Sequence, residues 1–330
     1  MVGASERQLD IVFFGSPEFA VPSLHALRDS DHRLVAVVTQ PDRPAGRGRR
    51  LTPPPVKRAI EEWPAPRPLL LQPEEVNSSE AIEQLRELRS DLFASAAFGQ
   101  IFRPALLEVP AIGCINLHAS LLPKYRGAAP IQHALLNGER ETGVTVMWMD
   151  PGMDTGEILL QRPAAIGPDD TAADLFARLA EVAAEGLMTA LDLIARGEAP
   201  RIAQDDAQAT TAPMIRKGDA EIDWARPAGA VRDFIRAMQP WPVAFSHHRG
   251  RMLKILGACL ADAPRGSAGT PGEIAEIVGD KGVLVQTGEG QLLITRVQPE
   301  SRAAMSAAEY VRGYHLAVGD RLGRTGNGIG

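Results

Sequence analysis

The sequence predicts an α/β protein in which a Rossmann-like domain of parallel strands is followed by a smaller, OB-like β-barrel domain. The chain has 330 residues, which exceeds the usual size of one domain. Its first half alternates short apolar runs with helix-length segments, a rhythm typical of parallel strands joined by crossover helices. Its last third contains several short β-type runs separated by turn residues. We therefore expect domains at 1–206 and 214–330, joined by a linker at 207–213.

Six apolar runs predict the strands of the first domain. After the first run, Ser16 and Pro17 favour a turn with an N-cap and the first position of a helix. The sequence has neither G-x-G-x-x-G nor G-x-x-x-x-G-K-[ST], so no motif supports a dinucleotide site or a P-loop. A helix of about seven turns over 171–197 closes the domain. The predicted strands cover 9–15, 33–40, 91–99, 113–120, 142–150 and 157–166.

The second domain is predicted to contain one helix and several short strands. The segment that precedes it, 197–213, is polar and without periodicity, as expected of a linker. A helical pattern then covers 227–238. The β-type runs that follow are those of a small barrel, and they cover 251–261, 272–279, 282–288 and 291–298.

The composition excludes several classes of protein. Hydrophobic residues make up 45% of the chain and charged residues 23%, which excludes extended disorder as the main state. No apolar stretch approaches the roughly 20 residues of a membrane span, so we expect a cytoplasmic protein. Cys114 and Cys259 form no disulfide framework or metal-ligand spacing, so we expect no metal and a reducing compartment. A net charge of -6 argues against general nucleic-acid coating, although a local basic surface can still serve one RNA.

Three polar residues are candidates for an active centre. Asn116 and His118 stand two positions apart on one predicted strand, so their side chains share a face, and Asp154 lies on a later loop. An amide can donate to a developing oxyanion, a histidine can carry a proton near neutral pH, and a carboxylate can orient that histidine. Together they suit acyl transfer without a covalent intermediate. From the spacing alone, Asn116 and His118 could instead have a structural role at a strand end. Asp150 and Asp154 could simply shape a turn. They could also form the carboxylate pair of a glycosidase, although their position in a loop argues against it.

The residues around this centre resemble the signature of the folate-dependent formyltransferases. The similar string begins at Asn116 and His118, continues through Ser120, Leu121, Leu122, Pro123, Arg126, Gly127, Pro130 and Ile131, and ends with Asp154, Thr155 and Gly156. The resemblance extends over nearly the whole chain. Its further segments are FFGSPEFAVPSL, TQPDRPAGRGRRLTPPPVK, AAFGQIFRPALL, KGDAEIDW and IRAMQPWPVAF.

The resemblance implies a reaction and the residues that perform it. It implies that 10-formyltetrahydrofolate donates a formyl group to the amino group of methionyl-initiator tRNA, for translation initiation. In the family, the equivalents of Asn116, His118 and Asp154 are catalytic. The histidine assists proton transfer and, with the amide, polarises the formyl carbonyl, while the carboxylate holds the histidine and helps to relay a proton through water. No metal takes part. The folate site would be lined by Ser120, Leu121, Leu122 and Pro123, by the backbone of Ala97, Phe98, Gly99, Gln100 and Ile101, and by the loop from Met149 and Asp150.

A basic segment is the candidate RNA contact. Residues 43–58 contain six basic residues and no acid, and their glycine and proline content predicts a mobile loop rather than a strand or helix. Such a run is usually a solvated surface. The resemblance instead implies that Arg43, Arg47, Arg49 and Arg50 grip the acceptor end of the tRNA. Basic residues of the second domain that extend this face would be Arg216, Lys217, Arg232, Arg236, Arg249, Arg251 and Lys254.

Other acceptors and other roles stay open at this point. A family member acting on glycinamide ribonucleotide or on a nucleotide-sugar amine would share the centre, as would a formyltetrahydrofolate hydrolase module, which usually occurs in a much longer chain. From another class, an RNA-binding protein with an inactive formyltransferase fold is the alternative. We expect a monomer.

Five further side chains have simpler explanations than catalysis or RNA contact. Cys114 is expected to be a buried strand thiol rather than a nucleophile. His247 and His248 are expected to form an exposed loop pair, and Trp224 and Trp241 to pack in the core.

Overall fold

The computed structural model describes residues 7–45, 48, 50–261 and 269–323. Its strands, in chain order, are β1 (Asp10–Gly15), β2 (Arg33–Val38), β3 (Arg43–Ala45), β4 (Arg50–Thr52), β5 (Leu69–Leu71), β6 (Leu92–Ala96), β7 (Gly113–His118), β8 (Glu141–Trp148), β9 (Ile158–Ala165), β10 (Phe245–His248), β11 (Arg251–Leu260), β12 (Ile274–Val278), β13 (Gly282–Gln286), β14 (Gln291–Pro299) and β15 (Met305–Ser306). Its α-helices are α1 (Val21–Arg28), α2 (Pro55–Glu61), α3 (Ser79–Glu87), α4 (Pro104–Leu107), α5 (Pro130–Leu136), α6 (Ala172–Ala195), α7 (Ala228–Ala237) and α8 (Ala307–Tyr314).

The first sheet has seven strands in the order β5-β2-β1-β6-β7-β8-β9. The five strands from β5 to β7 are parallel, whereas β8 and β9 are antiparallel to their neighbours. Register brings the carboxyl ends of β1, β6 and β7 to one edge: Gly15 pairs with Ala96, and Ser95 pairs with Asn116. The Rossmann-like prediction is confirmed, and all six predicted strands are present. The short β5 was missed because three leucines near several prolines give no strand periodicity.

Aromatic packing supports the loops at that edge. The ring centroid of Phe14 lies 5.0 Å from that of Phe93, 5.4 Å from Phe98 and 4.8 Å from Phe102. These four rings are almost fully buried, so the loop after β6 rests on a close-packed core. Ser16 does not cap a helix as predicted. Its hydroxyl instead accepts from the backbone N–H of Gln40, 3.0 Å away, and so ties the loops after β1 and β2 together.

The basic segment forms a small hairpin and then the start of α2 at Pro55, so the prediction of a loop without strand or helix was wrong. Strands β3 and β4 pair antiparallel, with Arg43 opposite Thr52 and Ala45 opposite Arg50. Gly48, which lies between the two strands, has φ +101°, a conformation that suits a chain reversal. Because this two-stranded sheet has no third strand among the described residues, we expect it to be marginally stable alone. Arg47 and Arg49 lie outside the described residues.

The second sheet is antiparallel and follows the order β10-β11-β14-β13-β12, with β15 beside β14. This confirms the predicted β domain at the C-terminal side of the chain. His247 and His248 lie on β10, so the prediction of an exposed loop pair was wrong. Pairing with β11 buries His248, whose Nδ1 lies 2.8 Å from the Tyr310 hydroxyl. Burial lowers the pKa of His248.

Two other expectations for the second half need correction. Trp224 is buried, with its indole N–H donating to the Ser246 hydroxyl, but half of the Trp241 side chain is exposed in the turn after α7. Arg236 does not extend a basic face. Only 8% of Arg236 is exposed, because its guanidinium donates to the Asp233 carboxylate and to backbone carbonyls.

The described chain forms two compact units that are not continuous in sequence. One comprises the residues up to Pro130 together with Glu141–Ile166 and Phe176–Ala212, and the other comprises Ile131–Arg140, Gly167–Leu175 and the residues from Pro213 onward. Residues 207–212 thus belong to the first unit. The assignment of catalysis to residues 1–206 and of tRNA binding to residues 214–330 stays a prediction. Within the described part of the chain, no helix is both long and apolar enough for a membrane span.

Candidate active site

His118 ends strand β7 with only 6% of its surface exposed. Its Nε2 lies 2.9 Å from the carbonyl oxygen of Tyr125. A carbonyl oxygen can only accept, so Nε2 carries a proton and donates it to this bond. The nitrogen at which a proton can be gained or lost is therefore Nδ1.

Asp154 faces that nitrogen from the loop between β8 and β9. Its Oδ1 lies 3.6 Å from His118 Nδ1, which is too long for a hydrogen bond but close for two charges. Its Oδ2 accepts from the backbone N–H of Gly127 at 2.8 Å. The carboxylate is thus held by one loop while its second oxygen stays directed at the histidine. It can stabilise the imidazolium that forms when Nδ1 takes a proton.

Asn116 stands two residues before His118 on β7, so both side chains lie on the same face of the sheet. The residue is half-buried, and its side-chain amide forms no hydrogen bond with the residues that the structure describes. A polar group in this position needs a partner from solvent or from a ligand. Its N–H is suited to a carbonyl oxygen that gains negative charge during acyl transfer.

Two glycines allow the loops of the centre to approach the neighbouring backbone. Gly127 has φ +123°, and a Cβ there would lie 2.7 Å from the carbonyl oxygen of Ala212. A Cβ at Gly156 would lie 1.7 Å from the carbonyl oxygen of Trp148. Larger residues at these positions would displace the loops that carry Gly127 and Asp154.

A segment that the sequence pattern did not mark holds this centre together. Residues 210–212, read as part of a linker, run beside the loop at 123–129. Their backbone hydrogen bonds join Thr210 N to Pro123 O, Arg126 N to Thr210 O, Ala212 N to Arg126 O and Ala129 N to Ala212 O, at 2.7–3.3 Å. No local periodicity marks such a pairing, because it depends on residues more than 80 positions apart.

The predicted folate loop at 120–123 is bonded within the protein. The Ser120 hydroxyl donates to the carbonyl of Lys124 at 2.6 Å, and the Ser120 carbonyl accepts from the Thr145 hydroxyl at 2.7 Å. Ser120 and Leu122 are buried, whereas Leu121 and Pro123 are partly exposed. In this loop, the side chains of Leu121 and Pro123 and the backbone atoms could therefore contact folate. This contact stays a prediction.

The second predicted folate segment follows β6. Ala97 and Gly99 have left-handed backbones and are exposed, while Phe98 is in the core. Gln100 accepts from the backbone N–H of Val76 through its side chain, and Ile101 is 63% exposed. An exposed isoleucine beside exposed backbone suits one face of a flat heterocycle.

The third predicted folate segment begins at Met149, which is half-buried against the core. The carboxylate of Asp150 accepts from the Gly152 N–H and the Thr155 hydroxyl, and so shapes the turn that leads to Asp154. Asp150 therefore has a structural task of its own. Its contact with folate stays a prediction.

Two predicted features outside the trio are also located. Cys114 is buried on β7, which confirms the expected buried strand thiol, and burial raises the pKa of that thiol to about 12. Arg43 and Arg50 are exposed on the hairpin, and Arg43 pairs with Glu74. Only these two of the four predicted RNA-contacting arginines are described.

Comparison with known proteins agrees with this geometry. The formyl transferase family matches residues 9–191, and the C-terminal domain of formyl transferases matches residues 214–315. The chain is 45% identical to the methionyl-tRNA formyltransferase of Geobacter sulfurreducens, over 97% of this chain and 98% of that one. It belongs to the methionyl-tRNA formyltransferase family. The family member of Moorella thermoacetica is 47% identical, over 95% of this chain and 99% of that one.

A solved structure shares the formyltransferase fold at lower identity. It is an N-formyltransferase from Helicobacter canadensis in complex with folinic acid and dTDP-3-aminofucose. The TM-score is 0.66 at 20% identity, and the alignment covers 89% of this chain and all of that one. This likeness concerns the fold.

Proposed function

We propose that the chain transfers the formyl group of 10-formyltetrahydrofolate to the free amino group of methionyl-initiator tRNA, giving N-formylmethionyl-tRNA for translation initiation. The amine nitrogen bonds to the formyl carbon, and the bond between that carbon and N10 of the folate breaks. The amine loses one proton, and N10 gains one. No covalent bond to the protein is needed.

The observation that carries this proposal is the pairing of His118 with Asp154 beside an unpartnered amide. Nδ1 of His118 can take up the proton released by the amine, and Asp154 stabilises the resulting charge at 3.6 Å. Asn116, on the same face, supplies a donor for the formyl oxygen as it becomes an oxyanion. An inactive fold kept only for RNA binding has no need of this arrangement.

The donor is proposed on the basis of the family and the fold. Formyl transfer is the activity for which the family is named, and the Helicobacter canadensis relative carries a folate in its complex. In this chain, the exposed backbone at Ala97 and Gly99 with Ile101, and the loop that starts at Met149, are the surfaces proposed for the pterin. The Leu121 and Pro123 side chains complete the proposed lining.

The acceptor is proposed from the relatives and from basic surfaces. The relatives at 45% and 47% identity are named for methionyl-tRNA, whereas the relative bound to a sugar nucleotide is 20% identical. The hairpin at 43–52 exposes Arg43 and Arg50, which suits contacts with phosphates. In the second unit, Arg249, Arg251 and Arg302 line a depression of 640 Å³.

The assembly and the site of action are part of the same proposal. One chain carries both the catalytic trio and the basic surfaces, so we propose that a monomer acts alone. The substrate is a translation intermediate, so we propose that the protein works in the cytoplasm.

The experiment supplies 10-formyltetrahydrofolate with four acceptors in parallel. These are charged initiator tRNA, charged elongator tRNA, glycinamide ribonucleotide and a nucleotide-linked amino sugar. We expect rapid formylation of the initiator tRNA alone and its loss in His118→Ala. Faster reaction of another acceptor would replace the proposed one, and binding of tRNA without transfer to any acceptor would support the inactive-fold alternative.

A further inference from the structure

Gln204 uses its whole side-chain amide to join two loops of the active site. Its Nε2 donates to the carbonyl oxygens of Asp154, at 2.9 Å, and Gly156, at 2.7 Å. Its Oε1 accepts from Nε and Nη2 of Arg126, at 3.1 and 2.8 Å. A glutamine amide offers two donor hydrogens and two acceptor lone pairs, so all four are used.

The donor end of Gln204 fixes the backbone that presents the catalytic carboxylate. Asp154 has φ +56°, a left-handed conformation that is uncommon for residues other than glycine. Such a conformation persists where the surroundings determine it, and here Gln204 binds the carbonyls on both sides of Thr155. The direction in which the Asp154 carboxylate leaves the chain therefore depends on Gln204.

The acceptor end of Gln204 binds Arg126, in the loop that holds His118 and Asp154 through its backbone. Arg126 lies between the two residues that hold the catalytic groups. The carbonyl of Tyr125 accepts from His118 Nε2, and the N–H of Gly127 donates to Asp154 Oδ2. The side chain of Arg126 is 13% exposed, and its guanidinium donates to Gln204 and to Asp206.

We propose that Gln204 is a positioning residue for formyl transfer, which sets the distance and direction between His118 and Asp154 by holding both loops at once. The inference rests on the proposed function. Glutamate would still accept from Arg126 but would turn an oxygen toward two carbonyl oxygens, so the amide itself is required. Alanine would remove the hydrogen-bond donor to the carbonyls of Asp154 and Gly156 and the acceptor for Arg126.

The first test measures transfer to methionyl-initiator tRNA by Gln204→Ala and Gln204→Glu. Gln208 provides the control: it lies four residues later, is exposed, and among the described residues bonds through its side chain only to Asp205. We expect kcat per folded molecule to fall by about 10–100-fold in both Gln204 variants, with KM for the folate nearly unchanged, because small misplacements of reacting groups cost about this much. Gln208→Ala and Gln208→Glu should match the wild type.

The second test asks whether Gln204 acts through Asp154. In an Asp154→Ala background, Gln204→Ala should lower kcat little further, because the group that it positions is absent. In the same variants, the ¹⁵N chemical shifts of the His118 ring report its protonation and hydrogen bonds without requiring activity. Gln204→Ala should change those shifts, and Gln208→Ala should not.

The outcomes separate this inference from the proposed function. Equal fold-losses from Gln204→Ala in the two backgrounds, or unchanged His118 shifts, would overturn the positioning role even if transfer to tRNA is seen. Absence of transfer by the wild type would overturn the proposed function, and the ring shifts would still decide whether Gln204 positions the pair.

Discussion

Replacing Asp154 by asparagine removes the charge of the carboxylate while keeping its shape. The amide oxygen can still accept from the Gly127 N–H, so the loop should stay in place. The lost term is the attraction between the carboxylate and protonated His118 across 3.6 Å. With an effective dielectric constant of about 20, that attraction is about 4.6 kcal/mol. Both side chains are largely buried, at 6% and 15% exposure, so solvent screens the pair little.

The asparagine amide can replace part of this attraction through its own dipole. We therefore expect kcat to fall by about 10²–10³-fold, somewhat less than the full energy would give. Single-turnover formylation of methionyl-initiator tRNA measures the chemical step, and thermal unfolding and folate binding check the fold. Asp192→Asn, an exposed change of the same charge on α6, is the control. A rate for Asp154→Asn within about threefold of the wild type, in a folded protein that binds folate, would show that the charge of Asp154 does not support the reaction.

Three other outcomes follow from the structure. A fragment of residues 1–212 should bind folate and formylate small amines faster than a fragment of residues 1–206. The shorter fragment lacks the backbone pairing of 210–212 with the loop at 123–129. Equal rates would show that this pairing does not support the reaction. At pH 8, iodoacetamide should label exposed Cys259 and spare Cys114, whose pKa is about 12, as mass spectrometry of the folded protein would show. Gly156→Ala should lower the free energy of unfolding in urea by about 1–3 kcal/mol or more, because its Cβ would overlap the Trp148 carbonyl.

Features that depend on neighbouring residues were predictable from the sequence. Among the described residues, apolar runs gave six of the seven strands of the first sheet and four of the six strands of the second, since burial and alternation leave a local pattern. The i, i+2 spacing put Asn116 and His118 on one face, and the resemblance to known enzymes favoured Asp154 over Asp150. The reading of the hairpin as a loop failed because glycine and proline signal a turn but do not exclude short ladders on its flanks.

Features that depend on distant residues left no such pattern. Gln204 lies 78 positions from Arg126 and 50 from Asp154, and its environment in the sequence is simply polar. The pairing of 210–212 with the loop at 123–129 uses backbone atoms, which carry no residue signature. Only the fold brings these groups together, so a polar stretch without periodicity was taken for a linker.

The same pairing sets an order of events during synthesis on the ribosome. Asn116, His118 and Asp154 are all polymerised well before Ala212, and the sheet that carries them has its strands by the end of β9. The loop that bears Tyr125 and Gly127, however, receives its last backbone partners only from Thr210 and Ala212. A nascent chain that already contains all three proposed catalytic side chains therefore still lacks the backbone partners of that loop until residue 212 has left the ribosome.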